Sequence, residues 1–216
     1  METRCSELGR RSLVCILGKP IDKRQIEHDP IRQLIQDDDP RVIEMPMPDA
    51  PLIFDFPNTK LQVIFLNNRI TIQFDGRLDI VAREEFSSIC AKVLAAIGEQ
   101  EFRAFGFNVF CRAISTPPVH KLIGVDEDIL APEGFTFTPL SIVKLRFTQE
   151  DGINYTVDLT DEAEGIGVHV NIHHELAEGL QAAQLSSSIE DIYARDADSA
   201  NTLIEEVLRR GLDSSR

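Results

Sequence analysis

The stretch KLQVIFLNNRITIQFD, residues 60 to 75, constrains the fold more than any other part of the chain. A two-residue turn at Asn67-Asn68 pairs Phe65 with Ile70, Val63 with Ile72 and Leu61 with Phe74. All six side chains then share one face. A slip of one residue would send them to opposite faces, so the register is strongly specified. Asn tolerates positive φ and suits such a turn. A sheet with one apolar face needs further strands beside it and helices over it.

Both are legible. LIFDF precedes the hairpin and completes a three-strand run. DIVAREEFSSICAKVLAAIG follows as a helix, with Asp79 as its cap and Gly98 as its stop. Phe86, Ile89, Cys90, Val93, Ala96 and Ile97 form its apolar stripe. FRAFGFNVFCRAI is apolar on both faces and reads as a central strand. A second run, LSIVKLRFT, INYTVDL and IGVHVNIH, turns through Glu150-Asp151-Gly152. That loop pairs Phe147 with Tyr155, Leu145 with Val157 and Val143 with Leu159, and sets Lys144 opposite Asp158. SIEDIYARDADSANTLIEEVLRRG closes the chain as a helix capped by Ser188 and stopped by Gly211. The expected class is α+β: an antiparallel sheet built from two three-strand meanders plus a middle strand, with two amphipathic helices on one face.

Residues 1–50 read as an amino-terminal arm and residues 51–216 as the core domain. The arm carries a short strand, Ser12 to Leu17, and a short helix beginning at Asp29-Pro30. The DDDP and MPMPDAP segments separate it from the core. Its apolar residues are too few for a core of their own, so the strand is expected to dock as an edge strand on this chain or on a partner. Residues 115 to 138 form a long connection, either functional or packed down through Leu122, Ile123, Ile129 and Leu130.

Composition limits the class of function. The net charge is −14, and residues 151–216 hold the larger share of the imbalance. An acidic surface repels phosphate backbones, so direct nucleic-acid binding is not expected. No run of apolar residues is long enough to cross a membrane as a helix. Leu13 to Leu17 is too short for a signal peptide, and the four cysteines form no CxxC pair. A cytoplasmic protein is the expectation.

The hairpin LQVIFLNNRITIQF, the helix after it, the strand FRAFGFNVFCRAI and the late helix IEDIYARDADSANTLIEEVL together carry a resemblance. Over residues 50 to 210 the chain resembles a sporadically distributed family of small prokaryotic proteins of unknown function. The resemblance implies a plan of elements and brings no catalytic residues. The arm lies outside it.

Candidate chemistry centres on GVHVNIHHELAEG. In a strand, Val168, Val170 and Ile172 face the core while His169, Asn171 and His173 face away. Residues four apart on a strand are separated by about 13 Å, too far for His169 and His173 to share one metal ion. HHELAE is not HExxH, because Glu178 stands where the second histidine belongs. A metal site would need a distant ligand such as His28 or His120. Lys144, Arg146, Thr156, Asp158, His169 and Asn171 fall on one polar sheet surface. Covered by another element or subunit, that surface is a pocket for a small anion. Facing water, it is a solvated sheet face. The chain has no GxSxG, P-loop or GxGxxG.

No catalytic residue, cofactor or metal ligand is therefore assigned, and the sequence points away from an enzyme. The expected function is a non-enzymatic binding or assembly protein, an accessory subunit of a complex, with a protein partner or a second copy of itself. The alternative is a small-ligand-binding sensor using Lys144, Arg146, Thr156, Asp158, His169 and Asn171. A metal-dependent hydrolase centred on the histidines stands last.

Overall fold

The computed structural model describes residues 5–36, 38–47, 49–75, 83–114, 118–122, 142–163 and 165–214. The strands are β1 (Cys5–Leu17), β2 (Arg41–Glu44), β3 (Leu52–Phe56), β4 (Leu61–Leu66), β5 (Arg69–Asp75), β6 (Glu101–Ile114), β7 (Ile142–Thr148), β8 (Asn154–Glu162) and β9 (Gly165–Gln181). The helices are α1 (His28–Arg32), α2 (Arg83–Ala96), α3 (Val119–Leu122) and α4 (Ala182–Ser214). All the strands join one antiparallel sheet in the order β2-β3-β4-β5-β1-β6-β9-β8-β7. The fold is α+β.

The position of β1 differs from the edge expected for it. It lies at the centre, with Leu13 opposite Ile72 on one side and Phe107 on the other. Its composition explains this. Leu13, Cys15 and Leu17 are buried on the covered face, and Val14 and Ile16 lie on the other, so the strand is apolar on both sides as a central strand must be. Arg11 is buried too, with its guanidinium over the rings of Phe74 and Phe86 at 5.4 and 5.6 Å. The proline-bounded segment after α1 supplies β2, an outermost strand paired with β3 through Val42–Phe54 and Ile43–Ile53.

One face of the sheet is the core. Leu13, Phe54, Val63, Ile72, Phe107, Val157 and Val170 are all fully or almost fully buried there. Helix α2 contributes Phe86, Ile89, Cys90 and Val93 to that core, and α4 contributes Leu185, Ile189, Tyr193 and Ile204. The two helices also bind each other, since Ser186 Oγ donates to the Ala91 carbonyl at 2.8 Å and Phe86 meets Tyr193 at 5.7 Å. α1 adds Ile31, and α3 adds Val119 and Leu122. Burial holds the Cys15 and Cys90 thiols well above their usual range, so neither is poised as a nucleophile.

The turns and caps depart from expectation in instructive ways. Neither Asn67 nor Asn68 has positive φ; Lys60, at φ 60°, is the non-glycine that does among the described residues. The asparagine carbonyls instead accept from Leu17 and Ile21 N–H groups, tying the hairpin to the end of β1. Gly98, at φ 69°, follows the end of α2, whereas Asp79 lies outside the described residues. Ser188 is not the cap of the last helix. β9 runs to Gln181 and α4 begins at once, with Gln181 N–H donating to Gln184 Oε1 at 3.1 Å. Ser188 is inside the helix, its hydroxyl turned back to the Gln184 carbonyl at 3.1 Å, and Gly211 also lies within α4. Of the long connection, only 118–122 is described, where Val119, His120 and Leu122 are buried. No described helix is long and apolar enough to cross a membrane.

Candidate functional site

The alternation of each strand sends every second side chain to the face opposite the helices. No described helix packs on that open face. Its central row follows the pairing register across the whole sheet: Arg41, Asp55, Gln62, Gln73, Ser12, Asn108, Asn171, Thr156 and Arg146. Much of the row is joined by side-chain hydrogen bonds. Gln62 donates to Asp55 at 2.9 Å and Gln73 to Gln62 at 2.7 Å. Asn108 donates to Ser12 at 3.0 Å, and Asn171 donates to Asn108 at 2.9 Å. Such a row satisfies its own amides and stiffens the sheet without a helix over it.

The six residues expected to line a ligand surface all lie on this face. Lys144 and Arg146 come from β7, Thr156 and Asp158 from β8, and His169 and Asn171 from β9. Lys144 Nζ stands 3.4 Å from Asp158 Oδ1, and Asp158 Oδ2 stands 3.5 Å from His169 Nδ1. His169 Nε2 meets Asn108 Oδ1 at 2.9 Å. The imidazole stacks on Phe110 at 4.4 Å and 7°, and Arg10 sits over the same phenyl ring at 5.4 Å. Arg146 has no ion pair among the described residues, and Thr156 lies opposite both Arg146 and Asn171. Sequence reasoning missed Asn108, Ser12 and Phe110. A single polar residue in the apolar run FGFNVFC was the available signal for Asn108.

His169 is partly buried, and that burial lowers its pKa below 6.5 despite the opposing pull of Asp158. The folded chain therefore releases this proton more readily than the unfolded chain. Stability contributed by neutral His169 is present at and above about pH 6.5 and is lost as pH falls below it, levelling off beneath the folded pKa. Urea unfolding of wild type and His169→Gln across this range is expected to show a shallower acid-side loss in the variant. Superimposable profiles would contradict the burial effect.

A second cluster lies on the covered face. β9 continues through His174, which points toward α4, while His173 points the other way, 3.9 Å from Glu175. His174 Nε2 meets Asp196 Oδ2 at 2.5 Å; the imidazole is 10% exposed and the carboxylate 0%. Arg195 donates to the other oxygen of Asp196 through Nη2 at 3.0 Å and Nε at 3.2 Å. Phe105 stacks on the His174 ring at 4.4 Å and 7°. Nearby, Tyr155 donates its hydroxyl proton to Gln149 at 3.0 Å, and burial raises its pKa. Between the end of β7 and α4 lies a groove of about 400 Å³, lined by Phe147, Thr148, Gln149, Tyr155, Ser199, Thr202, Leu203 and Glu206.

A carboxylate that fixes an imidazole is one part of an acid–base machine. Here His174 meets no hydroxyl or thiol within hydrogen-bond distance among the described residues. The pair instead locks β9 to α4. His28 packs edge-on against Phe54 of the covered face, while His169 lies on the open face, so the sheet separates them. No group of His, Cys, Asp or Glu among the described residues is arranged to hold a metal ion. No protein-family model matches this chain, and no curated protein matches it either.

Proposed function

We propose that this chain is a non-enzymatic binding or assembly protein, an accessory subunit of a protein complex. The observation that supports this most is the one-sided cover of the sheet. Helices pack on one face, while the other face has no described helix against it and the outer edges of β2 and β7 have no described strand beside them. The sheet is read as two three-strand meanders joined through β1 and β6, with amphipathic α2 and α4 together on the covered side. Near β2 the chain also exposes Ile43, Met45 and Met47, and exposed apolar side chains gathered in one place favour contact with another macromolecule.

Charge supports the same reading. Along the open face Arg10, Arg41, Arg69, Arg112, Lys144 and Arg146 are offset by Asp55, Asp75, Asp158, Glu162 and Glu175. The chain as a whole carries −14. A partner of either sign can approach this face without the repulsion that the rest of the surface imposes. Among the described residues, the histidine and hydroxyl groups form no catalytic constellation.

A small-ligand sensor is the second reading, supported by Arg146, whose guanidinium is unpaired among the described residues beside Thr156. Native mass measurement of the chain recovered from its source cell separates the readings. An assembly of defined stoichiometry is the expected result. Recovery as a free 24.2 kDa monomer that responds to a metabolite in a thermal-shift panel would favour the sensor instead.

A further inference from the structure

Resting on the reading as a binding protein, we propose that β7 is the receiving edge for an extended segment of another protein, one that alternates apolar and acidic residues. β7 is seven residues long and terminates the sheet, and the backbone groups on its outer side have no ladder partner among the described residues. A strand added there completes the ladder.

The side chains of β7 specify the occupant. On the open face it presents Lys144, with 55% of its side chain exposed, and Arg146, which has no ion pair among the described residues. On the covered face Val143, Leu145 and Phe147 are only partly buried, and Phe147 opens into the groove beside Leu203 and Thr202. Neighbouring strands in register place facing residues on the same side of the sheet. An incoming strand therefore sets acidic residues beside Lys144 and Arg146 while its alternate residues cover Val143, Leu145 and Phe147. An apolar side chain near Phe147 would enter the groove.

The same logic disfavours a second copy of this chain at this edge. Antiparallel self-pairing about Leu145 sets Lys144 of one copy opposite Arg146 of the other, twice. Shifting the register by two residues sets Lys144 against Lys144 or Arg146 against Arg146. Like charges directly opposite destabilise a strand pair. Basic residues on an edge strand serve against such self-association, and that same basic pair selects an acidic partner strand.

The test uses fluorescence anisotropy with the full chain and two labelled synthetic peptides, one alternating valine and glutamate and one alternating valine and lysine. The wild-type chain is expected to bind the valine–glutamate peptide and to discriminate against the lysine peptide by about tenfold or more, since each facing charge changes from attraction to repulsion. The double reversal Lys144→Glu with Arg146→Glu, both on the exposed sheet face, is expected to swap that preference. Hydrogen exchange should show new protection of β7 amides in the complex. Failure of both peptides to bind, equal binding of the two, or a double reversal that leaves the preference unchanged would each overturn the proposal. The wild-type assembly recovered from cells reports separately on the broader reading, so a negative peptide result leaves that reading standing.

Discussion

His174→Ala is expected to lower the unfolding free energy by about 3–5 kcal/mol, the range for leaving a buried charge without its partner. The carboxylate of Asp196 is fully buried, and His174 is its close contact from the sheet. Without the imidazole, Asp196 keeps, among the described residues, only Arg195, whose side chain is 56% exposed and belongs to the same helix. The variant also removes the ring stacked on Phe105. Against a typical stability of about 5–15 kcal/mol this is a large fraction. Denaturant unfolding followed by circular dichroism measures it. Replacing both partners with leucine should recover much of the loss, because two apolar side chains leave no buried charge. A single variant within about 0.5 kcal/mol of wild type, the scale of ordinary surface substitutions, would contradict the role given to the pair.

Deleting residues 1–17 is expected to abolish cooperative folding. β1 bonds β5 on one side and β6 on the other, and among the described residues the two halves of the sheet meet nowhere else along their strands. The deletion exposes two new internal edges at once. It also removes Leu13 and Leu17 from the core, each contributing roughly 1.5–3 kcal/mol by burial, together with the buried Cys15. The contact between α2 and α4 still links the halves, through Ser186 and Ala91 and through Phe86 and Tyr193. The expected product is therefore a compact but loosely packed chain, with helical signal retained and no sharp unfolding transition. A deletion variant that unfolds cooperatively near the wild-type midpoint would show that β1 is dispensable.

These two predictions fall where the sequence was least informative. The alternation in residues 61–74 and 143–159 was readable because each residue's face follows from a local period, and a slip would be costly. The place of β1 was not readable in the same way. Ser12 to Leu17 shows that a strand exists there, but its neighbours are β5 and β6, far along the chain, and non-local pairing leaves no local signature. The end of β9 was hidden for a related reason. HHELAEG can continue a strand or start a helix, and the choice rests on the register with β6, which shifts between the Ala104–Glu175 and Phe102–Leu180 pairs. His174 consequently reaches α4, a contact no spacing rule would have found.

The candidate surface was partly legible. Lys144, Arg146, Thr156, Asp158, His169 and Asn171 share a face because strand parity alone decides it. Their connection to Asn108, Ser12 and Phe110 depends on β6 and β1 lying beside β9, which again is long-range pairing. Whether the surface is covered is a property of the whole sheet, set by both helices α2 and α4 packing on the opposite side.

Cross-linking mass spectrometry on the assembly recovered from the source cell, with a lysine-directed reagent, tests most directly whether the uncovered side is the docking side. Lys144 lies on the open face, whereas Lys92 of α2 and Lys121 of α3 are exposed on the helix layer. Partner cross-links through Lys144, with Lys92 and Lys121 joined only to residues of this chain, are the expected result. Partner cross-links confined to Lys92 and Lys121, with Lys144 modified but never joined to a partner, would contradict it.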